Sequence, residues 1–363
     1  MPPEENKKHA LILAVIGLAV IGFFVMRLRG YKEEIAPQPL LPPRAEKVKE
    51  PDFSSFGWAR ASSSVPGSAR DAHALVVFKN KLWLMGGLNA NGIAKKDYVE
   101  YWRAPHFSDV WSTDNGIAWK LVTEKAPWGT RRSQEVEVFK NKMWLFGGWV
   151  KGGGYKSDVW FSENGENWVE ASPAVLWPPR EGHTAVVFKD KLWLMGGVNF
   201  DKRKILNDVW YSEDGVNWIE ALSNAPWSPR YDHTLVVFQD KLWLTGGTIL
   251  GGHELRDEWV SEDGFNWRKV TEDPPWPSRH GHVSLVFEDR LWLVGGWNTE
   301  KGGQNDSWYS ADGITWIETG GNAAWPGRED CAGIVFLNKI WMMGGMDKNW
   351  RWQDDIWYST FTK

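Results

Sequence analysis

The 363-residue chain has one cysteine, Cys331. A single thiol excludes an intrachain disulfide and any cysteine-rich metal site. Charge of either sign is not in excess: the formal net charge is −4, which gives no electrostatic reason to expect a nucleic-acid partner. One long uncharged apolar run stands out, at 10–26 (ALILAVIGLAVIGFFVM). Seventeen residues of helix span about 25 Å, slightly short of a hydrocarbon core of roughly 30 Å. The flanking Lys7, Lys8, Arg27 and Arg29 can snorkel to close that gap. The segment FFVMR at its end lacks the small-x-small site of a cleaved leader. A short polar tail (1–9), an uncleaved transmembrane signal anchor (10–26) and a Pro- and charge-rich linker (27–51) are therefore expected. Charge on the two flanks does not fix the orientation. The expected arrangement puts the rest of the chain outside the cytoplasmic membrane, in a periplasm or at a cell surface.

What the chain has in abundance is tryptophan, 28 in all, and it is periodic. The stretch REGHTAVVFKDKLWLMGG begins at Arg180, and similar stretches begin at Arg70, Arg131, Arg230, Arg279 and Arg328. The steps between these arginines are 61, 49, 50, 49 and 49 residues. A fixed period near 50 calls for a repeat architecture. Within one unit the apolar pattern marks strands at 183–188, 191–195, 208–212 and 218–221. Lys189-Asp190 and Asp214-Gly215 supply tight turns, and Trp177-Pro178-Pro179 breaks pairing ahead of the unit. One such meander cannot bury its apolar surface alone, whereas six around an axis can. The sixth unit lacks its fourth strand. Trp58 precedes Arg70 by the same 12 residues that separate Trp119 from Arg131 and Trp168 from Arg180, so residues 58–62 are expected to complete it. The fold expected for 52–363 is all-β: a six-bladed propeller closed by an N-terminal strand.

Arg-x-x-His, a strand ending in Gly-Gly, and then an Asp and a Trp resemble the Kelch repeat. The hairpins at 261–267 and 310–316 are similar to the Asp-box of other propellers, shorter by one residue. The resemblance covers 52–363 and implies a fold. For activity it implies little, because Kelch-like propellers include protein-binding domains and a few enzymes; in binding members, peptide ligands dock on the loop face.

Recurrence separates scaffold from function. Arg70, Arg131, Arg180, Arg230, Arg279 and Arg328 invite an anion-binding ring, but one per unit argues for inter-strand hydrogen bonding. His73, His183, His233 and His282, spread around a ring, lie too far apart to converge on a metal, so neither metal nor cofactor is expected. Twenty-three tryptophans fall into repeated sets suited to packing between blades, each indole N–H needing a partner. The other five, Trp102, Trp149, Trp297, Trp350 and Trp352, lie between a Gly-Gly pair and the next Asp-x-Trp strand. They are expected to surround one mouth together with Tyr98, Tyr101, Tyr155 and Phe200, and the first unit is longer in this same loop, at 88–108. The residues just after each arginine share that mouth and are mostly acidic: Asp71, Glu181, Asp232, Glu329 and Asp330, with Arg132 and His280 as exceptions. The candidate ligand-binding set is Trp102, Trp149, Tyr155, Trp297, Trp350, Trp352, Arg132, Glu181, Asp232 and His280.

The second unit departs from the others in its innermost strand, where Glu135 and Glu137 point to one side. An unpaired buried carboxylate is costly, so Arg131 or Arg132 is expected as partner. A carboxylate pair for glycosidic acid/base work is the sharper reading of the same residues. A galactose-oxidase-like copper site is not expected, since Cys331 occupies the repeat position of His183. A sialidase-like arginine cluster is not expected either. The function expected is a membrane-tethered module binding a protein or a glycan through an aromatic, acidic-rimmed mouth. The alternatives are an extracytoplasmic carbohydrate-active enzyme and a docking subunit of an envelope complex.

Overall fold

The computed structural model describes residues 53–361 except 94–99, 172–175, 272 and 321–322. The expected tail, anchor and linker, and Tyr98, lie outside the described residues. The described chain is built of antiparallel strands with two short 3-10 turns and no α-helix, and no helix in it is long and apolar enough to cross a membrane.

Among the described residues six sheets have four strands each. The third is representative: Thr184–Phe188, Lys191–Met195, Val209–Ser212 and Trp218–Leu222 pair in chain order. These boundaries match the periodicity to within a residue. Each innermost strand lies against that of the next sheet, and the one in Ala332–Phe336 returns to Ala74–Phe78. In the sixth sheet Gly57–Ser64 pairs with Asp355–Thr360, with Trp58 opposite Ser359. The N-terminal strand therefore completes the sheet formed by the C-terminal strands.

The arginines are scaffold. Arg180 is fully buried and donates to both oxygens of Asp208 at 2.6 Å, to the Gly196 carbonyl at 2.7 Å and to the Pro178 carbonyl at 3.0 Å. Asp208 in turn accepts the Trp210 indole N–H. The same Arg–Asp–Trp triad recurs at Arg70–Asp109–Trp111, Arg131–Asp158–Trp160, Arg230–Asp257–Trp259, Arg279–Asp306–Trp308 and Arg328–Asp355–Trp357. A bidentate pair with its remaining protons bonded is the arrangement that makes a buried charge tolerable. These guanidiniums have no free face for an anion.

Tryptophans build the seams. Trp83, Trp144, Trp193, Trp243, Trp292 and Trp341 each donate to the carbonyl of a Phe five residues back. Those on the connections, Trp128, Trp177, Trp227, Trp276 and Trp325, meet the outermost Trp of the following sheet edge-on. For these five the expectation of a hydrogen-bond partner fails: their indole nitrogens are buried without one. Burial of the ring, about 2–3 kcal/mol each, together with edge-to-face stacking, outweighs one unmet donor. The Asp-box-like hairpins form as the sequence reads: Ser212 Oγ accepts the Gly215 N–H, and Asp214 Oδ1 accepts those of Val216 and Asn217. Such hairpin glycines sit at positive φ against the Trp of the preceding sheet: Gly165 on Trp83, Gly215 on Trp144, Gly264 on Trp193, Gly313 on Trp243 and Gly116 on Trp341.

Candidate functional site

The residues after each repeat arginine are placed by short backbone pairings with the residue just past Gly-Gly: Asp71 with Leu88, Arg132 with Trp149, Glu181 with Val198, Tyr231 with Thr248, His280 with Trp297 and Glu329 with Met346. This pairing is why a rim charge and a loop tryptophan are neighbours in two of the units. The next residue in each case has positive φ, as in Ala72, Ser133, Asp232 and Asp330, and turns the chain into the innermost strand. Backbone hydrogen bonds run from unit to unit at this level: Asp232 N–H to Gly182 O, Gly281 N–H to Asp232 O, and Asp330 N–H to Gly281 O. They form a throat. Gly182 and Gly281 leave room for the Asp232 and Asp330 carboxyls, which a Cβ at either glycine would strike.

Arg132 is held on three sides. It donates from Nε (2.9 Å) and Nη2 (3.2 Å) to Glu181, and its guanidinium lies 4.8 Å from the Tyr101 ring centre and 5.2 Å from that of Trp149. Across the rim His280 contacts Glu329 at 2.9 Å and Glu254 at 3.6 Å. Burial opposes its charge, but the two carboxylates outweigh burial and raise its pKa well above the ordinary histidine range. Glu254 was not among the sequence candidates; it stands in a variable loop and carries no repeat signal.

The predicted aromatics do not form one surface. Trp102 is 53% exposed on the turn Tyr101–Arg103. Phe200 (44%) and Leu250 (59%) are the exposed apolar tips of the third and fourth loops. Trp149 and Trp297 are half-buried at the rim, with Tyr155 paired to Trp149. Trp352 is buried at 3% exposure and packs with Leu88, Ala90, Ala104 and Met346, joined by Tyr101 and Trp350. Asn91 fastens this cluster, donating to the Trp352 carbonyl and accepting its N–H. The long first loop and the sixth loop thus make a lid at which Asp71 is buried, and Trp352 is part of that lid's core. The other nine residues of the binding set stand at the rim, on the loops or in the throat.

Below the throat, the innermost strands of all six sheets enclose a cavity of about 580 Å³, on whose wall lie Glu135, Glu137, Asp232 and Asp330. Neither arginine partners the glutamates: Arg131 bonds Asp158 and Arg132 bonds Glu181. Their carboxyls keep some accessible area on the cavity wall yet are surrounded by protein. Desolvation accordingly pushes Glu137 up to about 8, and desolvation with the charges of Glu137 and Asp232 pushes Glu135 well above its ordinary range. Asp330 is raised to about 7 by burial and then by Glu329, and Asp232 is raised by burial and then by Asp330. Thr184, Thr234, Ser284, His233 and His282 line another part of the wall and bond one another: the Nε2 atoms of His233 and His282 meet Thr184 and Thr234. His73 and His183, by contrast, are buried with both ring nitrogens unbonded, and burial pushes each pKa down to about 3.

The repeat, its network and its closure are those of a Kelch propeller. The chain belongs to the KLHDC2/KLHL20/DRC7 Kelch-repeats domain family, whose profile matches residues 182–363. No curated protein matches it. Among solved structures, one described as "Structure of YjhT" superposes with a TM-score of 0.66 at 16% identity, over 81% of this chain and 95% of that one. That likeness is one of fold.

Proposed function

We propose that this protein is a six-bladed Kelch-type binding module whose loop face captures a partner protein through a segment rich in basic residues, and that residues 10–26 tether it to a membrane with the propeller on the extracytoplasmic side. The observation that carries the reading is the electrostatic make-up of the mouth. Glu181, Glu254 and Glu329 there outnumber Arg132 and His280, to which they are ion-paired, and Asp71, Asp232 and Asp330, whose pKa values burial and neighbouring carboxylates raise, add acceptors that an arriving cation would ionise. A positively charged segment gains from that field, and an acidic one is repelled. Exposed Trp102, Phe200 and Leu250 on the surrounding loops supply apolar contact area of the kind that anchors protein ligands. A glycan is the second reading, favoured by the exposed indole of Trp102.

The test is one experiment on the full-length protein recovered from membranes with detergent. It is presented to peptide arrays of matched length and hydrophobicity but opposite charge, and to a glycan array. The expected result is capture of basic peptides that weakens with salt and falls at least about tenfold in a Trp102→Ala/Phe200→Ala variant of unchanged melting temperature. Equal capture of acidic and basic peptides overturns the protein reading, and capture of sugars alone replaces it with the glycan reading. Recovery of the protein without membranes overturns the tether.

A further inference from the structure

The cavity beneath the throat carries a feature that the propeller does not require. At the position of Glu135 the other units place Ala74, Thr184, Thr234, Val283 and Ala332, and at that of Glu137 they place Val76, Val186, Val236, Leu285 and Ile334. Five strands with small, hydroxyl or apolar residues there form the same sheet as the one with two carboxyls, so the fold does not need the pair. Nor do the arginines nearest in sequence supply it with a cation, because Arg131 and Arg132 are engaged elsewhere. Gln134 is an independent observation. It lines the same cavity, is only 3% exposed and donates its amide N–H to the Met85 carbonyl, which fixes the amide orientation; its Oε1 is left buried with no hydrogen bond. Glu135 and Glu137 on the strand Glu135–Phe139 and Gln134 just before it thus offer acceptors with no cation among the described residues to meet them.

We propose that Glu135 and Glu137, with Gln134 beside them, bind one primary ammonium group, a lysine side chain or an amino terminus, inserted through the throat by the partner. This deepens the reading of the mouth as a site for basic segments and rests on it for the partner. The Cα atoms of the two glutamates stand two residues apart, about 7 Å along the strand. Acceptors staggered in depth suit a compact point charge with three donors better than the flat fork of a guanidinium. On the facing walls Val186, Val236 and Leu285 give apolar surface that suits an alkyl stem, beside the hydroxyls of Thr184, Thr234 and Ser284. Asp232 and Asp330 at the throat add hydrogen-bond acceptors along the way in. An ammonium ion between the glutamates would also favour their ionised form.

The experiment uses the full-length protein and three small probes: N-acetyl-lysine methylamide, its neutral norleucine analogue, and alanine amide, which has a free α-amine. Binding is read by calorimetry and thermal shift, and the glutamate carboxyl carbons by NMR at pH 7. The expected result is that at least one ammonium probe binds at least about tenfold more tightly than the neutral analogue. That probe also moves the Glu137 carboxyl resonance toward its ionised position. A Glu135→Gln/Glu137→Gln variant, folded with an undiminished melting temperature, should lose this discrimination. The lysine derivative or alanine amide as the tighter probe identifies the source of the amine, and either supports the site. Equal binding of charged and neutral probes overturns it, as does discrimination that survives in the double variant. If that variant loses the probes but still captures basic peptides, the outer mouth alone holds the segment. If the parent binds an ammonium probe but prefers no basic peptide, the cavity site stands and the reading of the partner falls.

Discussion

At the scale of single residues, the same chemical group is put to opposite uses by its surroundings. Asp208 receives two guanidinium protons and an indole N–H, so its charge is fully met. Glu137, on the cavity wall, has no such partner, and its pKa rises to about 8 because desolvation disfavours the anion. Linkage gives the sign of the consequence. Between the ordinary carboxyl range near 4.5 and about 8, the unfolded chain has released this proton while the folded protein still holds it. Stability therefore falls as pH rises through that window. Glu137→Gln removes the effect. The variant is expected to match the parent near pH 4 and to exceed it at pH 9 by on the order of 3 kcal/mol, as read from urea midpoints across pH. A parent and variant with parallel pH profiles would show that the carboxylate is met by something else.

At the scale of elements, the unit is a meander whose turns are specified by backbone needs. Its first turn has two successive residues at positive φ, such as Lys189 and Asp190, the geometry that matches strand twist. Its hairpin ends in a glycine with two jobs: φ is positive, and the Trp of the preceding sheet lies against the missing Cβ. Gly264 is one case, set against the Trp193 ring. Gly264→Ala has to meet a disfavoured backbone conformation and displace a core indole, and is expected to cost about 2–4 kcal/mol. Gly152 offers the control, since it has φ +76° and nothing within 4 Å of an added Cβ. Gly152→Ala should cost about 1 kcal/mol. Denaturant midpoints of both variants separate the backbone contribution from packing, and equal losses would refute the role given to the indole contact.

At the scale of the whole molecule, the ring is covalently continuous except in the sixth sheet, where strands from the two ends of the propeller meet. There the hairpin that elsewhere covers the preceding sheet's Trp is missing. Its place over Trp292 is taken by Phe53 at 5.0 Å and Phe56 at 4.5 Å between ring centres, with Phe361 beside Phe53. These aromatic side chains are expected to clasp the propeller shut. Phe53→Ala/Phe56→Ala should lower the melting temperature and raise hydrogen exchange first in 57–64 and 355–360, before the third and fourth sheets respond. Uniform acceleration in all six sheets would mean that the ring opens as one unit.

The repeat, its strands to within a residue, the closing strand and the division of most tryptophans into packing sets were all legible in the order of the amino acids. Each of these is written once per unit, and six copies turn local pattern into a reliable signal. The rim was legible too, because its residues sit at fixed offsets from the repeat arginines. Which rim residues act together was not, and emerged only from contacts between distant units. Asn91 and Trp352, 261 residues apart, build the lid that hides one predicted aromatic. Glu254 reaches His280 from a loop without periodicity, and Glu135 and Glu137 are left without the arginine partners that nearness along the chain suggested. The physical reason is that side-chain charge and burial depend on which units the closed ring makes neighbours. A guanidinium goes to the carboxylate that can meet it in two places, which for Arg131 is Asp158 and for Arg132 is Glu181, and the nearest carboxylates in sequence are left facing the cavity.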